Sequence, residues 1–180
     1  DTLQNKINQA SENATITLDK AYTESITIPE GKTITLDLNG QTLINEEGKH
    51  TITNEGTLTI VGTGTVDNVS HGKGAVYNDA GATCTILGGN YTRSQENGQS
   101  DSDSGGNSWY AIKNFGTMTI GEEGAPNDAV KVSFTGKYSS LVANGWQDGA
   151  AAGQPNKEPA YERDAQLTIH SGTFTGGINT

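Results

Sequence analysis

The chain has 180 residues, enough for one domain, and holds 24 Gly and 24 Thr against only 32% hydrophobic residues, a balance that suits short strands and tight turns around a narrow core rather than a helical bundle. With 11 basic against 21 acidic residues the net charge is −10, which gives nucleic acid no basic footprint and an anionic membrane surface no attraction. No apolar run approaches the length of a membrane span.

In chain order, Leu3, Ile7 and Ala10 fall at i, i+4 and i+7, and Asp1 or Thr2 can serve as N-cap; this predicts a short amphipathic helix over 2–13. From Ala14 the pattern changes to period two, predicting strands at 15–18, 25–28, 33–38, 42–44 and 51–53. Turn residues separate them at Pro29-Glu30-Gly31, Asn39-Gly40 and Glu47-Gly48. The helix is expected to lie across the open end of the first coil, covering strand edges that would otherwise invite aggregation.

A phrase then recurs: NEGTLTI at 54–60, NDAGATCTI at 78–86 and NFGTMTI at 114–120, with a split copy formed by Asn144 and AQLTI at 165–169. Such recurrence marks stacked supersecondary units. Each later coil has a strand ending in Asn, a Thr-x-Thr-Ile strand, and a short third strand after a Gly-rich turn, at 64–66, 89–92, 130–134 and 172–174. Asn54, Asn78, Asn114 and Asn144 are 24, 36 and 30 residues apart, so the extra length must leave the stack as loops. Two polar inserts, 93–108 and 145–164, are too long for simple turns.

Three strands per coil with parallel stacking predict an all-β fold, a right-handed parallel β-helix in a single-stranded solenoid. The expected organisation is one domain, with a capping helix at 1–13 and the β-helix at 14–180 carrying both inserts. Both ends read as cuts within a longer protein. Burying aliphatics costs less than burying unpartnered hydroxyls, so Leu58, Ile60, Cys84, Ile86, Met118, Ile120, Leu167 and Ile169 are expected to stack inward. The pairs Thr15/Thr17, Thr33/Thr35, Thr57/Thr59, Thr83/Thr85 and Thr117/Thr119 then face out. Cys84, the single cysteine, excludes an intrachain disulfide and fits a small core residue. The recurrent Asn residues suit a corner, where Asn tolerates left-handed backbone, bonds its own turn and can stack amide on amide.

The opening helix, the segment ITIPEGKTITLDLNGQTL at 26–43, and the recurring Asn-x-Gly-Thr-x-Thr-Ile followed by Gly-Thr-Phe or Gly-Asn-Tyr carry a resemblance. They resemble right-handed β-helix modules of the pectin-lyase-like fold in large surface proteins of Gram-positive, often gut-dwelling, bacteria. The likeness covers nearly all of the chain outside the inserts. It implies an extracellular module, wall-attached or secreted, that is a monomeric part of a larger protein and binds a glycan or a host surface protein. The absence of a disulfide agrees with a bacterial exterior. The fold hosts lyases, hydrolases, adhesins and ice binders alike, so the likeness speaks for fold more than for function.

Loops on a rigid stack are the usual place for recognition. Trp109 and Tyr110 close the first insert, while Trp146, Gln147, Asp148 and Tyr161 lie in the second. Aromatic faces beside Asp and Gln suit sugar rings or a protein hot spot, and these six residues form the expected ligand-binding set. Alternatively, the aromatics pin the loops to the scaffold. Asp101 and Asp103 begin like a calcium loop, but Gly105 stands at the fifth position and Ile112 at the twelfth, where a bidentate Glu is required. A solvated loop is the favoured reading, with a weak Ca²⁺ site at Asp101 and Asp103 as the alternative; no other cofactor is expected.

Catalytic patterns find little support. Ser70-His71-Gly72-Lys73-Gly74 resembles the Gly-His-Gly segment of polygalacturonases without their clustered Asp acids or Arg-x-Lys. Pectate lyases need Ca²⁺-binding Asp residues on the sheet with an Arg base, but the only arginines, Arg93 and Arg163, stand at insert edges. His50, His71 and His170 lack zinc spacing. No Gly-x-Ser-x-Gly elbow occurs. The expectation is therefore a non-catalytic recognition, adhesion or spacer module working through the inserts. Two alternatives stand beside it: a polysaccharide lyase or glycoside hydrolase of this fold, and ice binding through the Thr-x-Thr array.

Overall fold

The structure, a computed structural model, describes residues 1–70, 72–94, 110–134, 140–145 and 164–176. Helix α1 (Leu3–Gln9) precedes strands that come in threes. The first coil is β1 (Ala14–Thr17), β2 (Tyr22–Thr23) and β3 (Ile26–Ile28), and the second is β4 (Thr33–Asp37), β5 (Thr42–Ile44) and β6 (Ile52–Asn54). Next come β7 (Thr57–Val61), β8 (Thr65–Asp67) and β9 (Val76–Asn78), then β10 (Thr83–Ile86), β11 (Gly89–Thr92) and β12 (Tyr110–Asn114). The last coils hold β13 (Thr117–Ile120), β14 (Val130–Phe134) and β15 (Ser140–Asn144), then β16 (Gln166–Ile169) and β17 (Thr173–Gly176).

Every third strand returns to the same sheet, and all pairings are parallel. Sheet A runs β1-β4-β7-β10-β13-β16, sheet B runs β2-β5-β8-β11-β14-β17, and sheet C runs β3-β6-β9-β12-β15. This is a right-handed parallel β-helix with three faces. Among the described residues no helix is long and apolar enough to cross a membrane.

The register stacks like on like. Ile16, Leu36, Ile60, Ile86 and Ile120 form one inward column of sheet A, and Ile34, Leu58, Cys84 and Met118 form the next. All are buried. Cys84 sits between Leu58 and Met118, and burial pushes its thiol up to about 12, so it is an inert core group. Leu167 and Ile169 continue the columns in register, but Leu167 is only half-buried and Ile169 is 49% exposed. Leu167 packs against the core as expected, whereas Ile169 does not close into it, because among the described residues β16 pairs with β13 alone. The threonines face outward as predicted, and their columns are aligned coil by coil.

The helix is shorter than the predicted 2–13. Thr2 caps it by accepting from the Asn5 N–H, and at Ala10 the backbone is already extended, with Asn13 turning at φ 60° into β1. It does cover a strand edge: the Gln4 side-chain amide accepts from the Thr27 N–H at 2.7 Å and donates to the Thr27 carbonyl at 2.9 Å, standing in for a neighbour of β3. Glu24 accepts from the Leu3 and Gln4 N–H groups, and Lys32 donates to the carbonyls of Ile7, Asn8 and Ala10, which satisfies both helix ends. Strand β2 escaped prediction because two residues show no alternation.

The recurrent Asn residues form a ladder down the corner between sheets C and A, buried at Asn54, Asn78 and Asn114 and exposed at Asn144. Asn54 Nδ2 donates to Asn78 Oδ1 at 2.7 Å, Asn78 to Asn114 at 2.8 Å and Asn114 to Asn144 at 2.7 Å. Each bond satisfies a buried amide that water cannot reach. The left-handed backbone expected of them is not there; among described non-glycine residues it occurs at Asn13 and Asn39.

The Gly of the phrase is required for space. A Cβ on Gly116 would stand 2.2 Å from the Ala82 carbonyl oxygen and 2.5 Å from that of Asp79 in the coil below. Gly116→Ala is expected to cost about 3 kcal/mol through overpacking. For a chain of this size that lowers the melting temperature by roughly 6–12 °C in a thermal melt.

A candidate recognition cleft on the flank of sheet C

The residues at 45–50, between β5 and β6, and those at 68–70 and 72–75, between β8 and β9, turn the same corner in consecutive coils. A buried amide–hydroxyl network ties them together. Asn45 Nδ2 donates to Ser70 Oγ at 2.8 Å, Asn45 Oδ1 accepts from the Val69 N–H at 2.8 Å, and the Gly48 N–H donates to Ser70 Oγ at 2.8 Å. Asn68 Nδ2 reaches the carbonyls of Lys49 and Gly74, each at 2.9 Å, while its Oδ1 accepts from the Ser70 N–H at 3.0 Å. Asn45, Asn68 and Ser70 are all buried. Turns held by satisfied interior polar groups are rigid, and these two carry Lys49, His50 and Lys73.

His50 is fixed twice over. The Gly74 N–H donates to its Nδ1 at 3.0 Å, which leaves the proton on Nε2. Its ring lies flat against Tyr77, with centroids 4.6 Å apart and planes at 25°, and 6.3 Å from the ring of Tyr110. Tyr77 meets Phe115 edge-on at 5.6 Å, and the Lys113 ammonium stands 5.3 Å from the Tyr110 ring and 4.8 Å from that of Phe115. Column register explains the assembly: Thr27, Thr53, Tyr77 and Lys113 succeed one another up the outer face of sheet C.

Beside these rings a cleft of about 420 Å³ opens, lined by Ser25, Thr27, Lys49, His50, Thr53 and Lys73 among others. Its volume falls within the roughly 300–1,000 Å³ typical of small-ligand sites. A smaller hollow of about 200 Å³ lies at Thr92, Arg93, Ser94, Ser133 and Phe134. No acidic residue is among the described lining of the larger cleft; Glu46 pairs with Lys49 at 2.7 Å on its exposed rim.

Burial is the main cause that pushes His50 down from 6.5 to about 4, aided by the positive charges of Lys73 and Arg93. Burial likewise lifts the Tyr110 phenol to about 12. Both groups are therefore neutral at physiological pH. Because the folded chain holds His50 below its unfolded value, the unfolded chain binds the extra proton between pH 6.5 and about 4. Stability from this site is full above pH 6.5 and is lost as pH falls toward 4, by up to about 3 kcal/mol. Urea unfolding across that range should show the decline, and His50→Phe should flatten it.

Of the six residues expected to bind ligand, Tyr110 is described, and it joins His50 in the ring cluster. Trp109, Trp146, Gln147, Asp148 and Tyr161 lie outside the described residues, as do Asp101, Asp103, His71 and Arg163. Among the described residues no three His, Cys, Asp or Glu side chains gather as a metal site. Sequence reasoning missed Lys49, His50, Lys73 and Tyr77 as members of one site. The missed signal is the coil length: Asn54 and Asn78 set a step of 24 residues, which places residue 50 beside 74 and 53 beside 77.

Comparison with known proteins gives no match to this chain, whether to a family model, a curated protein or a solved structure.

Proposed function

We propose that the chain is a non-catalytic recognition module of a bacterial cell-surface protein, extracellular and of the pectin-lyase-like type, that binds a glycan or a host surface protein. The observation carrying this is the cleft of Lys49, His50, Lys73, Thr27 and Thr53 beside stacked rings, built on turns locked by buried side chains. A preorganised cleft with one imidazole face, backed by Tyr77, and several hydrogen-bond donors suits a polar ligand with flat faces. Tyr110, which follows the first insert in sequence, stacks beside His50 in the same ring cluster. Catalysis has weaker support: the described lining offers no carboxylate pair, and a His50 held at about 4 is a feeble base near neutrality.

The test is a glycan array with the labelled chain, run beside a pulldown from host surface proteins. Saturable binding to a defined glycan or protein set is expected; blank results in both would overturn recognition. A second reading has its own observation. Thr33, Thr57, Thr83 and Thr117 align in one outward column and Thr35, Thr59, Thr85 and Thr119 in the next, giving hydroxyls about 4.8 Å apart along the axis and about 6.7 Å along each strand. Faceted ice crystals at micromolar protein would favour that ice-binding surface.

A further inference from the structure

We infer that the cleft at Lys49, His50 and Lys73 takes an anionic saccharide, its carboxylate or sulfate lying against the two ammonium groups and its ring hydroxyls against Thr27 and Thr53. The inference rests on the recognition reading and adds the chemistry of the ligand.

The charge distribution supports it. The chain has 21 acidic and only 11 basic residues. Yet two of those cations, Lys49 and Lys73, meet at one cleft. Arg93 acts on His50 electrostatically, and Lys113 stands over the ring of Tyr110 beside it. No acidic residue is among the described residues that line the cleft. Glu46 pairs with Lys49 at 2.7 Å, but the two side chains are 48% and 62% exposed, and a pair that wet is readily exchanged for a ligand anion. Asp67 is buried, its carboxylate already accepting from Thr92 Oγ1 and from the N–H and Oγ of Ser94.

The neutral groups fit a sugar. With Nδ1 occupied by the Gly74 N–H, His50 offers Nε2–H as a donor on a ring backed by Tyr77. Thr27 and Thr53 are paired in register on neighbouring strands, so their hydroxyls repeat at about the 4.8 Å strand spacing along the cleft wall. A negative protein that concentrates cations at one rigid cleft discriminates for an anion there while repelling anions elsewhere.

Calorimetric titration of the chain with sialyllactose, sulfated lactose and plain lactose at low salt tests this. One or both anionic sugars should saturate a single site that weakens with added salt, and which of them binds identifies the anion. Plain lactose should bind at least about ten-fold more weakly. Lys49→Gln and Lys73→Gln should each lose about ten-fold, the loss of one charge-assisted contact, with unchanged melting temperature. Equal binding of all three sugars, or binding unaffected by both substitutions, would overturn the anionic assignment and leave recognition standing. If none of the three binds, the assignment is overturned, and a glycan array blank as well would remove the recognition reading with it.

Discussion

Ile86→Asp should leave the chain without a cooperative folded state. Ile86 is fully buried between Ile60 and Ile120 in the central column of sheet A. Removing the aliphatic side chain costs about 2–5 kcal/mol. Placing a carboxylate there without a partner adds several more. The sum rivals the whole stability of a domain, about 5–15 kcal/mol. Ile169→Asp, in the same column but 49% exposed, should change stability by less than about 1 kcal/mol. Circular dichroism melts of the two variants separate a core column from a strand that merely alternates. A soluble Ile86→Asp chain that melts cooperatively would show that the inward face is assigned wrongly.

Asn78→Asp should be nearly as severe, although it changes one atom. Asn78 Nδ2 donates to Asn114 Oδ1 at 2.8 Å, to the Thr117 carbonyl at 3.2 Å and to the Ala82 carbonyl at 3.4 Å, in a fully buried position. An aspartate turns those donors into an anion facing three oxygens, a loss of about 3–5 kcal/mol at neutral pH. Burial raises its folded pKa above the unfolded value of about 3.9, so the unfolded chain releases its proton first as pH rises. The deficit relative to the parent chain should therefore be small below pH 4, where a protonated carboxyl still donates one bond, and should grow toward pH 7. Asn78→Ala should show a deficit with little pH dependence. A pH-independent Asn78→Asp would mean the ladder amide is hydrated.

The fold was legible because its grammar is local. Thr-x-Thr-Ile alternates at period two, and each Asn restarts the coil, so strand identity, inward face and ladder follow from the phrase. What failed depended on neighbours. The helix ends at Gln9 since Ser11–Asn13 turn into β1, and the exposure of Ile169 reflects a strand that among the described residues pairs with β13 alone. The cleft was hidden for a related reason. His50 belongs to no motif and Lys73 only to the incomplete Gly-His-Gly segment, and they meet only because one coil advances the chain by 24 residues between Asn54 and Asn78. Tyr110 could be picked out as an aromatic at an insert edge, while its partner Tyr77 sits inside an ordinary strand.

Recognition through the cleft is tested most directly by where a ligand touches the chain. An amide chemical-shift map of the isotopically labelled chain titrated with sialyllactose locates the contact surface. The changes should fall on Ser25, Thr27, Lys49, His50, Thr53, Lys73 and Tyr77, along the flank of sheet C, while Thr57, Thr59, Thr83 and Thr85 of sheet A stay still. Changes concentrated on the sheet A threonines, or none along the cleft, would contradict it.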